Sequence, residues 1–307
     1  MEDEAYKVVL QLVQEGGNLI RDSFRCTRMP NVMTKASDVD LVTDVDRKVE
    51  QVLVEGLRAK FPTHKFIGEE STALGEKGAL TDAPTWIIDP IDGTTNFVHK
   101  VPFVCVSIAL YVNKAPAIGV IYNPVLEELF TARKGHGAFR NGFPIQVSKT
   151  KELNKALLLL TFGVQNRFCA PNALDVYLNN NKRIVEKGIR GHRSFGSAAL
   201  NLCYVALGCA DAYLEFGLHC WDIAAGLLIV QEAGGQVSDA TGKPVDVMGR
   251  RILATSTSEL TKAITEVIDA GVITFRFRRN NLRQSCVMQA VLLYEIKFSS
   301  CHSLYLT

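Results

Sequence analysis

Trp86-Ile87-Ile88-Asp89-Pro90-Ile91-Asp92-Gly93-Thr94-Thr95-Asn96-Phe97 runs from a wholly apolar segment into two acids three apart, then into small hydroxyl residues. Trp86 to Ile88 predict the buried end of a strand, because aromatic and β-branched side chains suit a pleated surface packed on both sides. Pro90 has no amide proton for a ladder and biases Asp89 toward an extended backbone, so a turn is expected there. Gly93 permits close approach of backbone to a ligand, and Thr94 or Thr95 is placed to open a helix. Two carboxylates at a strand end, beside the amides of a helix start, suit a hard cation next to a phosphate. The outline is that of a site for phosphoryl chemistry.

Upstream, apolar side chains at Tyr6, Val9, Leu10, Val13, Gly17, Ile20 and Phe24 recur at helical spacing and predict a surface helix over 4–25. Lys35 to Asp46 is dense in acids and leads into a helix through Val49, Val52, Leu53 and Leu57, with Thr43 or Asp44 as its cap. Asp46 admits two readings there, a first-turn acid favoured by the helix dipole or a functional group. Phe66 to Ser71 reads as a short strand ending in Glu69 and Glu70, which gains meaning only if it faces Asp89–Thr95.

Downstream, the apolar runs Val104–Val112 and Ala117–Tyr122 flank an Asn113-Lys114 turn and predict an antiparallel hairpin, with a further strand at Glu128–Thr131. Near residues 150–160 the pattern changes to alternating strands and helices. Strands are expected at Ala156–Thr161, Ala210–Glu215, from Val237 and at Ile252–Thr255. Helices are expected at Asn172–Glu186, Ser194–Gly208 and Glu259–Ala270. A further helix, capped by Asp222, is expected to stop at Gly234-Gly235. This mixture points to a layered α/β or α+β body.

A chain of 307 residues, 47% hydrophobic and 21% charged, has the make-up of a globular protein with a substantial core. The net charge of +2 argues neither for nor against nucleic acid, which is not an expected partner. Residues 276–307 carry Arg276, Arg278, Arg279, Arg283 and Lys297 against Glu295, so this tail is +4 and the body is −2 (2 − 4). The eight cysteines form no Cys-x-x-Cys pair, which argues against a zinc ribbon or dithiol site. Met1-Glu2-Asp3-Glu4 lacks the apolar region of a signal peptide, and no run reaches the roughly 18 apolar residues of a membrane span. No membrane association is expected, and the reducing cytoplasm is the simplest address.

Glu69, Asp89, Asp92 and Asp222 each border a strongly apolar segment, and only Lys100 and Arg133 stand near the central motif as cations. Buried charges without partners carry a heavy desolvation cost, which bound cations would relieve. Oxygen ligands without His or Cys select Mg²⁺ over zinc. Asp222 taken alone reads as a plain helix cap. No Cys-x₅-Arg loop occurs, and Asp38-Val39-Asp40 lacks the preceding apolar strand of an aspartyl-phosphate nucleophile. Metal-activated water is then the expected nucleophile.

Gly68-Glu69-Glu70-Ser71, Trp86 to Phe97 and Trp221-Asp222-Ile223-Ala224-Ala225-Gly226, in that order, resemble the signatures of the inositol monophosphatase family over about residues 5–270. Ala210 to Glu215 and His219-Cys220-Trp221-Asp222 are similar to its animal members in particular. The resemblance implies a five-layered αβαβα fold and a lithium-sensitive homodimer. It implies hydrolysis of myo-inositol monophosphates to inositol and phosphate with two or three Mg²⁺, supplying inositol for phosphoinositide signalling. Glu69, Asp89 and the Ile91 carbonyl would hold one metal, and Asp89, Asp92 and Asp222 the second. Glu69 and Thr94 would orient and deprotonate water, with Asp46 partnering the Thr94 hydroxyl. The Gly93 and Thr94 amides would cradle phosphate. Gly196, Ser197, Ala198, Glu215, Asp92 and Asp222 would contact substrate, and Lys35 would lie on a mobile loop near a weaker metal.

The expected organisation is one domain over 1–275, with halves of about 1–145 and 146–275, followed by an atypical tail at 276–307. That tail, Arg-rich and then apolar from Val287 to Tyr294, departs from the family pattern and is expected to be poorly ordered or loosely docked. The segment Phe162-Gly163-Val164-Gln165-Asn166 departs too, where the family places a ring-facing serine. The competing readings are a metal-dependent phosphatase for another sugar phosphate or a bisphosphate nucleotide, and a non-catalytic binding protein on the same fold.

Overall fold

A computed structural model describes residues 2–26, 32–34, 41–75, 78–162 and 172–269. The Lys35 loop, Gly163–Asn166 and the tail at 276–307, each singled out above, lie outside the described residues.

The long helix α1 (Glu2–Arg25) buries Val9, Val13 and Ile20, as the periodicity predicts. After the two-stranded ribbon β1 (Val32–Thr34) and β2 (Leu41–Thr43), helix α2 (Asp44–Lys60) buries Val49, Leu53 and Leu57. Both helices cover one face of a seven-stranded sheet. Its strands are β3 (Lys65–Gly68), β4 (Thr85–Asp92), β5 (Cys105–Val112), β6 (Ala115–Asn123), β7 (Glu128–Arg133), β8 (Ala138–Arg140) and β9 (Phe143–Ile145), paired in that order. Only β3–β4 is parallel; the rest is a meander. Short helices α3 (Glu69–Ala73) and α4 (Thr94–Val98) follow β3 and β4 directly.

The second sheet has the order β11-β10-β12-β14-β13. It is formed by β10 (Leu157–Leu160), β11 (Gly191–Arg193), β12 (Ala212–Phe216), β13 (Gln236–Ser238) and β14 (Arg251–Thr255). Helices α6 (Ala198–Ala206) and α7 (Cys220–Glu232) are apolar on nearly every side, as helices enclosed by other layers must be. They share a core with Ile87, Ala109 and Ile121 from one sheet and Leu159, Tyr213 and Ile252 from the other. Trp86, Ile88, Val106 and Ile108, one residue out of phase, join the α1/α2 core instead. Helix α5 (Ala173–Glu186) edges Tyr177 against Phe216 of β12, and α8 (Ser258–Thr265) packs beside β14. The order of layers is therefore helix, sheet, helix, sheet, helix.

Candidate active site

Strand β4 does not turn at Pro90, contrary to the expectation from its missing amide proton; it continues, fully buried, to Asp92. Asp89 pairs with Ser107 and Asp92 with Cys105, so three steps on β4 match two on β5. This β-bulge absorbs Pro90 where the ladder asks nothing of it. The extra residue also resets the alternation of faces. Ile91 joins the α1/α2 core with Ile88, while Asp92 turns to the α6 side. Two acids at an odd spacing thereby reach the same side of the sheet.

Gly93 caps α4 in the left-handed region at φ 93°, where an added Cβ would meet the Phe103 carbonyl oxygen at 2.8 Å. The helix opens at Thr94. Its hydroxyl lies 3.1 Å from the Ile91 carbonyl oxygen and 3.3 Å from Asp46 Oδ1, and it donates toward both. Asp46 is buried and completes the capping box of α2: its Oδ2 accepts from the Thr43 amide at 2.9 Å and from the Thr43 hydroxyl. The cap of α2 is thus Thr43. Both readings of Asp46, first-turn acid and partner of Thr94, describe the same side chain.

Glu69 opens α3 rather than ending a strand. It owes this position to Glu50, which sequence reasoning passed over as one more acid on an amphipathic helix. Glu50 is buried, and its carboxylate accepts from the amides of Glu70 and Ser71, each at 2.8 Å, and from the Ser71 hydroxyl. The only signal in the text was an acid one step after the apolar Val49, on the inward face of α2.

Asp92 is held by the start of α6, accepting from Ser197 Oγ and the Ala199 amide at 2.6 Å each. Ser197 is the cap of that helix, which shortens the expected Ser194–Gly208 span. Gly196 sits beside it at φ 77°, against the Asn96 side chain that bridges the Phe103 and Phe195 carbonyls. Asp222 is not the cap of α7 but its third residue: His219 caps, and its amide donates to Asp222 Oδ2 at 2.6 Å. The N-terminal ends of α6 and α7 thus both point at the cluster.

Carboxylate oxygens of Asp89, Asp92 and Asp222 lie within 4.8 Å of one another, and Glu69 reaches Asp89 within hydrogen-bonding range. Neither candidate cation serves them. Lys100 donates to the Ser23 carbonyl at 3.0 Å beside the Phe24 and Phe97 rings, and Arg133 pairs with Asp3 at 2.6 Å. Burial pushes Asp89 and Asp222 well above the usual carboxylate range, and the neighbouring acids add to the rise. Burial also raises Asp92 to about 6, against the opposing bonds from Ser197 and the α6 amides. Asp89 Oδ1 is buried with no partner. An all-oxygen set, crowded with negative charge and holding an orphaned acceptor, fits one or more hard divalent cations. Glu215, on β12, faces the same region; burial lifts it to about 7, the Tyr213 hydroxyl opposing and the Asp92 charge reinforcing the rise.

A profile of the inositol monophosphatase family matches residues 1–271. Inositol monophosphatase 1 of Homo sapiens is 46% identical over 265 residues, covering 86% of this chain and 94% of the relative. Inositol monophosphatase 2 of Rattus norvegicus is 47% identical over 266 residues, covering 87% and 90%. Among solved structures, the Thermotoga maritima IMPase superposes with a TM-score of 0.74 at 32% identity, covering 87% of this chain and 96% of that one. The inositol monophosphatase from Anabaena gives 0.74 at 33%, covering 88% and 98%.

Proposed function

The chain belongs to the inositol monophosphatase family, and from that premise we propose that it hydrolyses myo-inositol monophosphates to inositol and phosphate with water activated at Mg²⁺. The observation that carries the metal site is the convergence of Asp89, Asp92 and Asp222 around an unpartnered Asp89 oxygen, with no lysine or arginine directed at it among the described residues. Glu69, Asp89, Asp92, Asp222 and the Ile91 carbonyl would hold the cations, two or three in number. When bound, they supply charge neutralisation, Lewis acidity and a lowered pKa for water.

The chain's own groups do the rest. The Thr94 hydroxyl commits its proton toward Asp46 and the Ile91 carbonyl, leaving its oxygen lone pairs to accept from an incoming water. Asp46, anchored by Thr43, keeps that hydroxyl aimed. Glu69, fixed by the Glu50 clamp on α3, is the second group placed to orient and deprotonate water. The Gly93 and Thr94 amides would receive the phosphate oxygens, while Asp92, Gly196, Ser197, Ala198, Glu215 and Asp222 would line the inositol side. Lithium inhibition follows as an expectation if a small monovalent ion enters the same oxygen cage.

Exposed Leu174, Leu178 and Val185 form one apolar stripe on α5, which supports a homodimer. Unpaired Cys105, Cys203 and Cys220, all buried, accord with a cytoplasmic address, and no helix among the described residues is long and apolar enough to cross a membrane. The decisive assay is phosphate release from inositol 1-phosphate by the full-length chain. Activity should require Mg²⁺ and vanish in excess chelator; undiminished turnover there would overturn the reading.

A further inference from the structure

Tyr213 and Glu215 stand two apart on β12 and so share one face of the second sheet, the face turned to α6. Tyr213 is completely buried, whereas Glu215 sits at the margin of the core. The Tyr213 hydroxyl donates to Glu215 Oε2. Behind it, the side chain of Asn201, on α6 and 1% exposed, reaches the same hydroxyl, while Asn201 Oδ1 has no partner. About one turn of helix carries both ends of this arrangement, since the start of α6 also binds Asp92 through Ser197 Oγ and the Ala199 amide. One rigid element therefore references both the metal cluster and Glu215.

A carboxylate on a flexible stem samples many rotations and offers two equivalent oxygens. A donor fixed from the core side removes that equivalence: Oε2 accepts from Tyr213, the Thr161 side chain also reaches the carboxylate, and the lone pairs left over are turned to accept from a ligand hydroxyl. We propose that Tyr213, steadied by Asn201, is a positioning residue that orients Glu215 and so selects ring-hydroxyl phosphates over phosphomonoesters that lack those hydroxyls. This rests on the reading of Glu215 as the contact to an inositol hydroxyl. Tyr213 touches neither phosphate nor cation, so its influence should fall on ground-state recognition of the ring and not on attack at phosphorus.

The test compares wild type, Tyr213→Phe, Glu215→Gln and the double variant on inositol 1-phosphate and on 4-nitrophenyl phosphate at saturating Mg²⁺. Tyr213→Phe removes one oxygen from an otherwise unchanged ring, so a folded protein is expected, with an unaltered Mg²⁺ activation curve. KM for inositol 1-phosphate should rise about tenfold with kcat within about twofold, the size of one lost hydrogen bond to a charged group. The ratio of kcat/KM between the two substrates should fall by the same factor. The double variant should discriminate no worse than Glu215→Gln alone, because the hydroxyl acts only through that carboxylate. An unchanged KM, an equal loss on both substrates, or full additivity in the double variant would overturn the proposal. If Glu215→Gln itself leaves the substrate ratio intact, the reading of Glu215 fails first and the role of Tyr213 falls with it.

Discussion

At the scale of single residues, Asp89 is the clearest case of a group built for something other than stability. It is buried, one oxygen is unpartnered, and three acids surround it. Asp89→Asn should raise the thermal midpoint of the metal-free protein at pH 7.5, because a buried charge is removed. The same change should abolish Mg²⁺-dependent stabilisation and lower kcat/KM by at least about a thousandfold, since both proposed metals lose a ligand. Differential scanning calorimetry with and without Mg²⁺ reads the first two effects. Asp92 supplies the pH dependence. Its folded value of about 6 lies above the ordinary 3.8, so the fold favours the neutral acid. That contribution is present below about pH 4 and is lost as pH rises through about 6, amounting to about 3 kcal/mol. In chelator the midpoint should therefore fall between pH 5 and pH 7, and Mg²⁺ should restore it at pH 7 far more than at pH 5. The acids of this cluster were legible in the sequence because each borders an apolar run. Glu50 was not, because a buried anchoring acid and a solvated one look alike in a helix until its partners are placed.

At the scale of elements, the site depends on how short pieces are started and stopped. Glu50 joins α2 to the first turn of α3 by three hydrogen bonds, so Glu50→Gln leaves at least one buried donor poorly satisfied. A loss of about 1–3 kcal/mol in urea unfolding is expected. It should be accompanied by a drop in kcat larger than any rise in KM, because Glu69 is displaced from the place proposed for it in orienting water. Element types were readable from period and composition: the α1 stripe, the β5/β6 hairpin and the apolar α7 all stand where patterning puts them. Their ends were less so. A proline predicted a turn at 90, yet the bulge tolerates it, since register belongs to two strands and only one was being read. From sequence Asp222 reads as a cap because acids favour both the cap and the third helical position, and nothing in the local text separates them.

At the scale of the whole molecule, α7 is pressed between two sheets and carries Asp222 at its front end. Gly119 on β6 makes that contact possible: an added Cβ would lie 2.6 Å from the Ala225 carbonyl oxygen. Gly119→Ala should cost about 1–3 kcal/mol through overpacking. It should also shift Mg²⁺ activation to higher concentration, because α7 and its acid would be pushed from the Asp89–Asp92 strand. The αβαβα layering was expected from the family resemblance, whereas composition and periodicity gave only a layered α/β or α+β body; that α7 is the enclosed helix emerges only with the structure, which buries it on nearly every side. The enclosed position of α7 also has a temporal consequence. The cage is closed by an acid over 130 positions downstream of its first partners, so a ribosome must release most of the polypeptide before an ion can be captured. Capture of the proposed cations then belongs to the end of maturation, and Mg²⁺ added during stopped-flow experiments should slow unfolding several-fold while leaving the refolding rate nearly untouched.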